Sequence, residues 1–512
     1  MIDARNLWDL IEQRAALTPN DEMLVDQHGT RVTFAQYRDD AERAAAGLAA
    51  LGVGEGTVVS WILPSTIASI TLTAALRRLG AIQNPILPIY RDREVGFIVN
   101  QAKPALFISP GTFGGFDYTE MAQRLTAGTD TTVLTIDDGL PHGDPATLPP
   151  APSDDLTPDA AVRWLFYSSG TTADPKGAQH ADIAPAAAAR GMILGLDVKA
   201  DDRVAFVFPI THIGGVTWLW AALATECTLI VDQAFNPATT IPLLRMEGVT
   251  QAGAGTYFHQ AYLAKQAELP DDEILFPDVR TFPGGGSPKP PQLHLDLKAR
   301  IGGAGILSGY GLTEAPILTM AHTTDSDDVL ANTEGRAVPN VELKLVTLDG
   351  KVAGIGEEGE VRAKGPQVTR GYLDASLDAA AFDDEGFFRS GDLGTLDADG
   401  NLTITGRIKD VIIRKGENIS AKEIEDLLFA HPAVADVAVV GLQDVEVGER
   451  ACAVVVTPQG QDPLTFEAMK DHLLASGLIT RKLPEQLEHV DVLPRNPTGK
   501  ILKFELRERF QS

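Results

Sequence analysis

The chain alternates short apolar runs with Ala- and Leu-rich segments of helical length, and this alternation constrains the fold more than any other feature. An apolar run at residues 58–63 is followed by a helical segment that ends near Gly80 and by another apolar run at 81–87. The same alternation returns later in the chain, as helix, strand, helix and strand at 181–194, 204–208, 215–225 and 228–231. Strand, helix and strand at this spacing predict α/β units built on parallel sheet.

The pattern changes twice in the C-terminal half. Residues 335–405 contain short β-prone runs separated by Gly and Asp turns, which predict a small barrel or sheet. Beyond them, a helix from Ser420 is mixed with strand-like runs, typical of an α+β unit. At 512 residues, the chain exceeds the size at which one hydrophobic core stops growing. We therefore predict a large N-terminal domain over 1–407, with two α/β sheet subdomains and a small β-barrel-like subdomain, and a small α+β C-terminal domain over 408–512.

Charge and composition limit the partners. The formal net charge is −27 at pH 7, whereas nucleic acid or an anionic membrane would require a basic face. The apolar stretch at 67–82 is interrupted by two arginines, so no segment reaches the roughly 18 apolar residues of a membrane span. Cys227 and Cys452 lack metal-ligand spacing and fit a reducing compartment. The start of the chain lacks the apolar core of a secretory signal. We expect a cytoplasmic protein that binds no nucleic acid and does not span a membrane.

A loop rich in glycine and hydroxyl groups follows the β-prone run at 161–167, and it reads YSSGTTADPKG over Tyr167–Gly177. Its glycines allow close backbone approach, and Lys176 supplies a compact positive charge for a polyphosphate. Hydroxyl donors come from Ser168, Ser169, Thr171 and Thr172. The alternative is an ordinary surface loop. The P-loop of nucleoside triphosphatases is excluded, because Lys176 is followed by Gly177 where that motif needs Ser or Thr.

Two further glycine-rich stretches, Pro283–Pro288 and Gly309–Glu314, lie beyond the loop. Glycines that flank Tyr310 let a flat base lie against the backbone and stack on a ring. The Thr313 hydroxyl and the Glu314 carboxylate can hold a phosphate and its Mg²⁺. A pair of Gly-rich turns with a core tyrosine is the alternative interpretation.

Five short motifs add charged or titratable side chains: His212 in PITHIGG, Asp392 in FRSGD, Arg407 and Lys409 in GRIKD, Lys415 and Gly416 in RKGEN, and Lys500 in NPTGK. Each has an ordinary structural explanation when it is taken alone. A histidine beside apolar neighbours is usually a satisfied core residue, an aspartate often lies in a turn, and a lysine near a C-terminus is usually solvated.

Taken in order, these motifs resemble the adenylate-forming superfamily, which contains acyl-CoA synthetases, luciferases and the adenylation domains of peptide synthetases. The resemblance extends from about residue 30 to the last dozen residues. The phosphate loop of that family reads close to [ST]SGTTGxPKG, and this chain differs from it only at Ala173, where Gly is usual. Ala337 and the pair Ser420-Ala421 stand where the family often has Pro, and neither departure removes a reactive group.

The resemblance implies binding sites for ATP and Mg²⁺. The implied nucleotide-binding residues are Ser168, Ser169, Gly170, Thr171, Thr172, Lys176, Gly284, Gly285, Gly286, Ser308, Gly309, Tyr310, Gly311, Thr313, Asp392 and Arg407. Among them, Tyr310 would lie against adenine, and Asp392 and Arg407 would hold the ribose. Glu314 would ligate Mg²⁺.

The resemblance also implies a catalytic set and a moving part. The implied catalytic residues are Lys500, Thr172, Glu314 and His212, with His212 beside the acyl carboxylate. The implied substrate pocket contains His212, Gly214, Gly215, Trp218 and Gly309. Lys409 would be the hinge of a mobile C-terminal domain. Lys415 and Gly416 would serve the CoA step.

The expected reaction joins a small-molecule carboxylic acid to coenzyme A through an acyl-adenylate, with ATP and Mg²⁺. Residues 214–220 contain no acidic side chain, which disfavours an amino acid and favours an apolar fatty, alicyclic, aromatic or steroid-derived acid. Three alternatives are a luciferase-like oxygenase, an acyl-AMP ligase that loads a carrier protein, and a non-catalytic nucleotide-binding homologue. The oligomeric state stays open, with a homodimer among the options.

Overall fold

The computed structural model describes residues 2, 4–137, 139–168, 174–287, 289–414, 417–495 and 499–511. The helices, in chain order, are α1 (Leu7–Leu17), α2 (Phe34–Ala50), α3 (Ile67–Arg78), α4 (Asp92–Ala102), α5 (Tyr118–Leu125), α6 (Ile183–Leu196), α7 (Ile213–Thr225), α8 (Pro237–Met246), α9 (Thr256–Gln266), α10 (Pro291–Arg300), α11 (Asp327–Asn332), α12 (Asp378–Ala381), α13 (Ala421–Phe429), α14 (Phe466–Ala475) and α15 (Lys503–Phe510).

The strands are β1 (Glu22–Asp26), β2 (Arg31–Thr33), β3 (Val58–Trp61), β4 (Ile82–Pro85), β5 (Leu106–Ser109), β6 (Thr112–Phe113), β7 (Phe116–Asp117), β8 (Thr132–Thr135), β9 (Trp164–Ser168), β10 (Lys176–His180), β11 (Arg203–Phe206), β12 (Thr228–Val231), β13 (Phe282–Gly285), β14 (Ile306–Leu312), β15 (Ala315–Met320), β16 (Arg336–Ala337), β17 (Glu342–Val346), β18 (Gly359–Lys364), β19 (Phe388–Leu396), β20 (Leu402–Arg407), β21 (Ile412–Arg414), β22 (Glu417–Ile419), β23 (Asp436–Asp444), β24 (Gly448–Val456) and β25 (Gln486–His489).

The N-terminal part of the chain, up to β16, contains the α/β sheets that the alternation of strands and helices predicts. One sheet has the order β10-β9-β4-β3-β5-β8, in which β10 is the antiparallel edge of an otherwise parallel set. A second runs β2-β1-β12-β11 and continues through single bridges at Gln251 to β13-β14-β15-β16. Parallel strands bring their carboxyl ends to one edge of a sheet, where ligands bind in such folds.

Helix boundaries follow local capping. Thr33 caps α2, with Gln36 completing a reciprocal capping box. The first helix, α1, begins at Leu7. The reason is Asn6, whose side chain accepts a hydrogen bond from the backbone N–H of Asp9 at 3.0 Å and so ends the helix on its N-terminal side.

The β-prone segment after residue 335 forms an open antiparallel sheet in the order β17-β18-β19-β20 rather than a closed barrel. Its edge strand β20 approaches β16 through a bridge between Asn401 and Arg336. Tyr310 and Leu318 from the second α/β sheet share a hydrophobic cluster with Val361 of this antiparallel sheet. The contact places β19 and β20 directly beside the carboxyl end of β14.

The last part of the chain forms its own sheet, β22-β21-β24-β23 with β25 on β24, packed around a separate hydrophobic cluster. A 3₁₀ turn at Ile408–Asp410 joins it to β20. Ser420 caps α13 and also donates to the carbonyl oxygen of Thr405 at 2.7 Å. The sequence Ser420–Glu423 has the pattern of a capping box, but only half of the box is present, because the Glu423 carboxylate pairs with Lys482 at 2.6 Å instead. Among the described residues, no helix is both long and apolar enough to cross a membrane.

A buried carboxylate ties the first α/β layer together. Asp182 accepts hydrogen bonds from Arg77 Nε at 2.6 Å, from Trp164 Nε1 at 2.9 Å and from the backbone N–H of Leu7 at 3.2 Å. The Arg77 side chain has no exposed surface. Asp182 therefore joins α1, α3 and β9, and its charge compensates a buried guanidinium.

We predict that Asp182→Ala lowers the free energy of unfolding by about 3–5 kcal/mol, because the buried Arg77 guanidinium loses the carboxylate that accepts its Nε hydrogen bond. The measurement is the midpoint of urea unfolding followed by tryptophan fluorescence. Asp92→Ala is the matched control, since Asp92 pairs with Arg124 at the surface with both side chains about half exposed. An equal shift for the two variants would contradict this account.

Candidate active site

A cavity of about 820 Å³ lies where the second α/β sheet, the antiparallel sheet and the C-terminal part meet. Its walls come from all three, and they include Gly286, Gly309, Tyr310, Asp392, Arg407, Lys409 and Lys500. These residues span most of the C-terminal half of the chain, and folding gathers them around one space. The cavity is large enough for a ligand of nucleotide size.

One wall is flat because it is built from glycine. β13 and β14 are parallel neighbours, with Gly285 opposite Gly309. A Cβ at Gly285 would lie 2.7 Å from the carbonyl oxygen of Gly309, and a Cβ at Gly311 would lie 2.3 Å from the backbone nitrogen of Ile317. Gly286 has φ +73° and open space where a side chain would be. The backbone thus forms a smooth surface beside the Tyr310 ring.

The predicted ribose carboxylate is anchored on both oxygens. Tyr310 donates its hydroxyl to Asp392 Oδ2 at 2.8 Å, and Arg407 Nε lies 2.8 Å from Oδ1. Asp392 and Arg407 face each other across β19 and β20. Asp392 is 4% exposed. Burial and the Asp392 charge raise the pKa of Tyr310 well above its usual value, so its hydroxyl stays a donor.

The predicted metal ligand is held by two hydroxyls. Glu314 Oε1 accepts from Ser168 Oγ at 2.8 Å and from Tyr372 Oη at 3.0 Å. Glu314 lies in the turn between β14 and β15, and His180 Nε2 donates to the neighbouring carbonyl oxygen of Thr313 at 2.9 Å. These contacts dock the turn onto the hairpin of β9 and β10. A positioned carboxylate among hydroxyl oxygens has the donor chemistry that Mg²⁺ prefers.

Lys500 enters the cavity from the C-terminal part. Burial lowers its pKa to about 7, and the charges of Arg407 and Lys409 act in the same direction against Asp392 and Asp410. Burial also lowers the pKa of Lys409. The cavity therefore brings three cationic side chains, those of Arg407, Lys409 and Lys500, close to the carboxylates of Asp392 and Asp410.

His212 lies within the field of Lys500. Burial, with a contribution from the Lys500 charge, lowers its pKa to about 4, so the ring is neutral near pH 7. Its Nδ1 accepts from the backbone N–H of Gly214 at 3.0 Å, which leaves the proton on Nε2. The ring packs edge-on against Phe208, with centroids 4.8 Å apart. His212 can donate one hydrogen bond from Nε2.

The C-terminal part is seated against the N-terminal part close to Lys500. Arg495 lies over the Tyr257 ring at 5.8 Å from the centroid. A Cβ at Gly499 would lie 3.0 Å from that of Tyr257. At the 3₁₀ turn, Asp410 pairs with Arg507 at 2.7 Å. The contacts of Arg495 and Gly499 with Tyr257 hold Lys500 at the cavity, and the pair of Asp410 and Arg507 ties the 3₁₀ turn to α15 within the C-terminal part.

Some predicted pocket residues have structural explanations. A Cβ at Gly215 would lie 2.5 Å from the carbonyl oxygen of Pro209, and one at Gly214 would lie 3.2 Å from His212 Nδ1. These two glycines allow α7 to start tightly after β11. Trp218 is buried in the main hydrophobic core. Gly309 lines the cavity.

The remaining predicted residues divide into two groups. Ser308 and Gly284 lie opposite each other on β14 and β13 beside the glycine wall, and Lys176 begins β10. Others lie outside the described residues, namely Ser169, Gly170, Thr171, Thr172, Lys415 and Gly416. The sequence analysis missed Tyr372, since it stands in a stretch without helical or strand periodicity, and only its tertiary contact with Glu314 distinguishes it.

Comparison with known proteins gives the family. Residues 11–373 match the family model described as AMP-binding enzyme, and residues 423–500 match the AMP-binding enzyme C-terminal domain. The chain belongs to the AMP-binding enzymes. This confirms the predicted adenylate-forming superfamily, and the α/β fold agrees with it.

Individual AMP-binding enzymes are similar over almost the whole chain. The long-chain-fatty-acid–CoA ligase FadD13 of Mycobacterium tuberculosis is 31% identical over 515 residues, covering 99% of each chain. The salicyl-AMP ligase / salicyl-S-ArCP synthetase of the same species is 32% identical, covering 97% of this chain and 89% of the relative. The crystal structure of ATP-bound MatB from Rhodopseudomonas palustris aligns with a TM-score of 0.87 at 26% identity, over 99% of each chain. The predicted class of acid–thiol ligase agrees with these relatives, whose names and bound ligands include CoA and ATP. A similar structure of o-succinylbenzoate CoA synthetase (MenE) from Bacillus subtilis, 26% identical, contains ATP and magnesium ion.

The lowered pKa of Lys500 predicts proton uptake when this AMP-binding enzyme binds ATP. At pH 8 the amine is mostly neutral, since its pKa is about 7, and a bound phosphate favours the charged form. We expect uptake approaching one proton at pH 8 and much less at pH 6, where the amine is already charged. Isothermal titration calorimetry in buffers of different ionisation enthalpy measures it.

Lys500→Arg is the matched control for proton uptake, because arginine stays charged in both states. We expect the uptake at pH 8 to fall to the small value contributed by ATP itself. Equal uptake by the wild-type protein and by Lys500→Arg would assign the proton to another group.

Proposed function

We propose that the protein is an ATP-dependent carboxylic acid–CoA ligase that acts on an apolar acid. The observation that carries the proposal is the approach of Lys500 to Asp392, Arg407 and the glycine wall, although these groups lie far apart in the chain. A cation in that position can bridge a carboxylate and the α-phosphate of a nucleotide. Such a bridge holds the two reactants in line and compensates the charge of the transfer.

In the proposed first step, a carboxylate oxygen attacks the α-phosphorus of ATP, and the bond to pyrophosphate breaks. Asp392 accepts hydrogen bonds from the ribose hydroxyls while Tyr310 and the glycine wall hold the base. His212 donates its Nε2 proton in a hydrogen bond to the acid. Glu314 would hold Mg²⁺, which would neutralise charge on the phosphates.

In the proposed second step, residues 408–512 rotate about Lys409 relative to residues 1–407. The short 3₁₀ turn Ile408–Asp410 and the separate core of the C-terminal sheet support two bodies with one flexible connection. Rotation would withdraw Lys500 and bring Lys415 and Gly416 to the cavity. The CoA thiol then attacks the acyl carbonyl, and AMP leaves.

The acid is proposed to be apolar, since the His212 ring packs edge-on against Phe208 and residues 214–220 contain no acidic side chain. Fatty, alicyclic, aromatic and steroid-derived acids remain candidates. A carrier-protein ligase is the second candidate, and it is favoured by the similarity to the salicyl-AMP ligase / salicyl-S-ArCP synthetase. We also propose a cytoplasmic location, which is compatible with two buried cysteines that form no disulfide.

The test is pyrophosphate release from Mg·ATP across a panel of straight-chain, alicyclic, aromatic and steroid carboxylates, with and without CoA. We expect release that depends on one acid class and turns over only when CoA is present. Release without stimulation by CoA would favour the carrier-protein ligase. Bound ATP without release for any acid would contradict an enzymatic function.

A lysine variant separates the two steps. We predict that Lys500→Ala slows acyl-adenylate formation by about 10²- to 10³-fold, because it removes a charge placed at the transfer. Thioester formation from supplied acyl-adenylate should remain within a few-fold of wild type. Equal loss in both steps by a folded variant would contradict the role of Lys500.

A further inference from the structure

Tyr372 lies between Lys176 of β10 and Glu314, the predicted metal ligand. The chain segment that contains Tyr372 runs antiparallel to β10. The backbone N–H of Leu373 donates to the carbonyl oxygen of Gly177 at 2.8 Å, and Gln179 forms two backbone hydrogen bonds, each of 3.0 Å, with the residues just before Tyr372. Tyr372 therefore lies on the segment next to β10, the strand that begins at Lys176. The Tyr372 side chain is 4% exposed.

The side chain contacts two charged groups of the site. Its hydroxyl donates to Glu314 Oε1 at 3.0 Å, and Ser168 Oγ donates to the same oxygen at 2.8 Å. The Lys176 ammonium lies 5.4 Å from the centroid of the Tyr372 ring. This distance is within the range of a cation–π interaction. A single tyrosine therefore links the carboxylate to the lysine.

Two donors on one carboxylate oxygen fix the plane of the group. With Ser168 and Tyr372 both on Oε1, the Glu314 carboxylate has a defined orientation before any ion binds. Hydrogen-bond partners of this kind orient metal ligands, and their loss typically reduces metal affinity or activity about 10- to 100-fold. The aromatic face similarly limits where the Lys176 ammonium can rest.

We propose that Tyr372 is a positioning residue for Mg·ATP: its hydroxyl orients Glu314 toward Mg²⁺, and its ring orients Lys176 toward the phosphates. The proposal rests on the role of Glu314 in the proposed function. The competing explanation is a purely structural one, since the ring also packs in a cluster with Ala178 and Phe388. The two contacts can be removed separately.

The test measures ATP affinity by calorimetry, first in EDTA and then over a range of Mg²⁺ concentrations. Tyr372→Phe keeps the ring and removes the hydroxyl. We expect it to require roughly tenfold more Mg²⁺ for half of the Mg²⁺-dependent gain in affinity, with unchanged affinity in EDTA. Tyr372→Leu removes both contacts, and we expect it to lose affinity several-fold already in EDTA, where Tyr372→Phe loses none. Tyr37→Phe is the matched control, because the buried Tyr37 hydroxyl donates to the carbonyl of Ile70 at 3.1 Å, away from Glu314.

Each result decides between the explanations. If Tyr372→Phe shows the wild-type Mg²⁺ requirement, or loses affinity equally in EDTA and in Mg²⁺, the positioning role is wrong. If the affinity of the wild-type protein does not depend on Mg²⁺, the role of Glu314 fails and the inference fails with it. If the wild-type protein binds Mg·ATP as expected but releases no pyrophosphate with any acid, the proposed function fails while the inference about Tyr372 stands.

Discussion

The site depends on a cluster of like charges held in a poorly solvated space. Burial is the largest cause that lowers the pKa of Lys500 to about 7, and the charges of Arg407 and Lys409 act in the same direction, against those of Asp392 and Asp410. A bound polyanion would favour the charged form of Lys500 and reduce the repulsion among these cations. Local positive charges therefore attract an anionic nucleotide, although the formal net charge of the whole chain is −27.

The fold holds these charges in place through carboxylates anchored on regular elements. Asp392 stands on β19, fixed by Tyr310 on one oxygen and Arg407 on the other. Asp410 lies in the 3₁₀ turn and pairs with Arg507 of α15. The glycine wall and the turn that carries Glu314 are set by strand pairing in the second sheet. A small rotation at the 3₁₀ turn would separate Lys500 from the rest of the cluster, and the two half-reactions proposed for this site would require such a change.

Local patterns predicted much of this arrangement, and long-range contacts account for the rest. The alternation of strand and helix, the cap at Thr33 and the placement of glycine beside Tyr310 were all readable from short stretches of sequence. The role of Gly215 was not, since it depends on a close approach to Pro209. The hydrogen bond from Tyr372 to Glu314 joins segments that lie far apart in the chain, and the hydrophobic periodicity of a sequence cannot predict such a pair. The approach of Lys500 to Asp392 was expected only because the ordered motifs resemble a family.

Fixing the two parts of the chain in their present orientation tests the central claim most directly. A Cβ at Gly406 would lie 3.6 Å from Ser420 Oγ, across the 3₁₀ turn, so Gly406→Cys with Ser420→Cys can form a disulfide after a small adjustment. The account predicts that the oxidised double variant still forms acyl-adenylate in a single turnover but makes no thioester with CoA, and that reduction restores the full reaction. Ser420→Cys alone, treated with the same oxidant, is the control. Thioester formation by the oxidised double variant at the rate of the reduced form would contradict a shared site served by rotation.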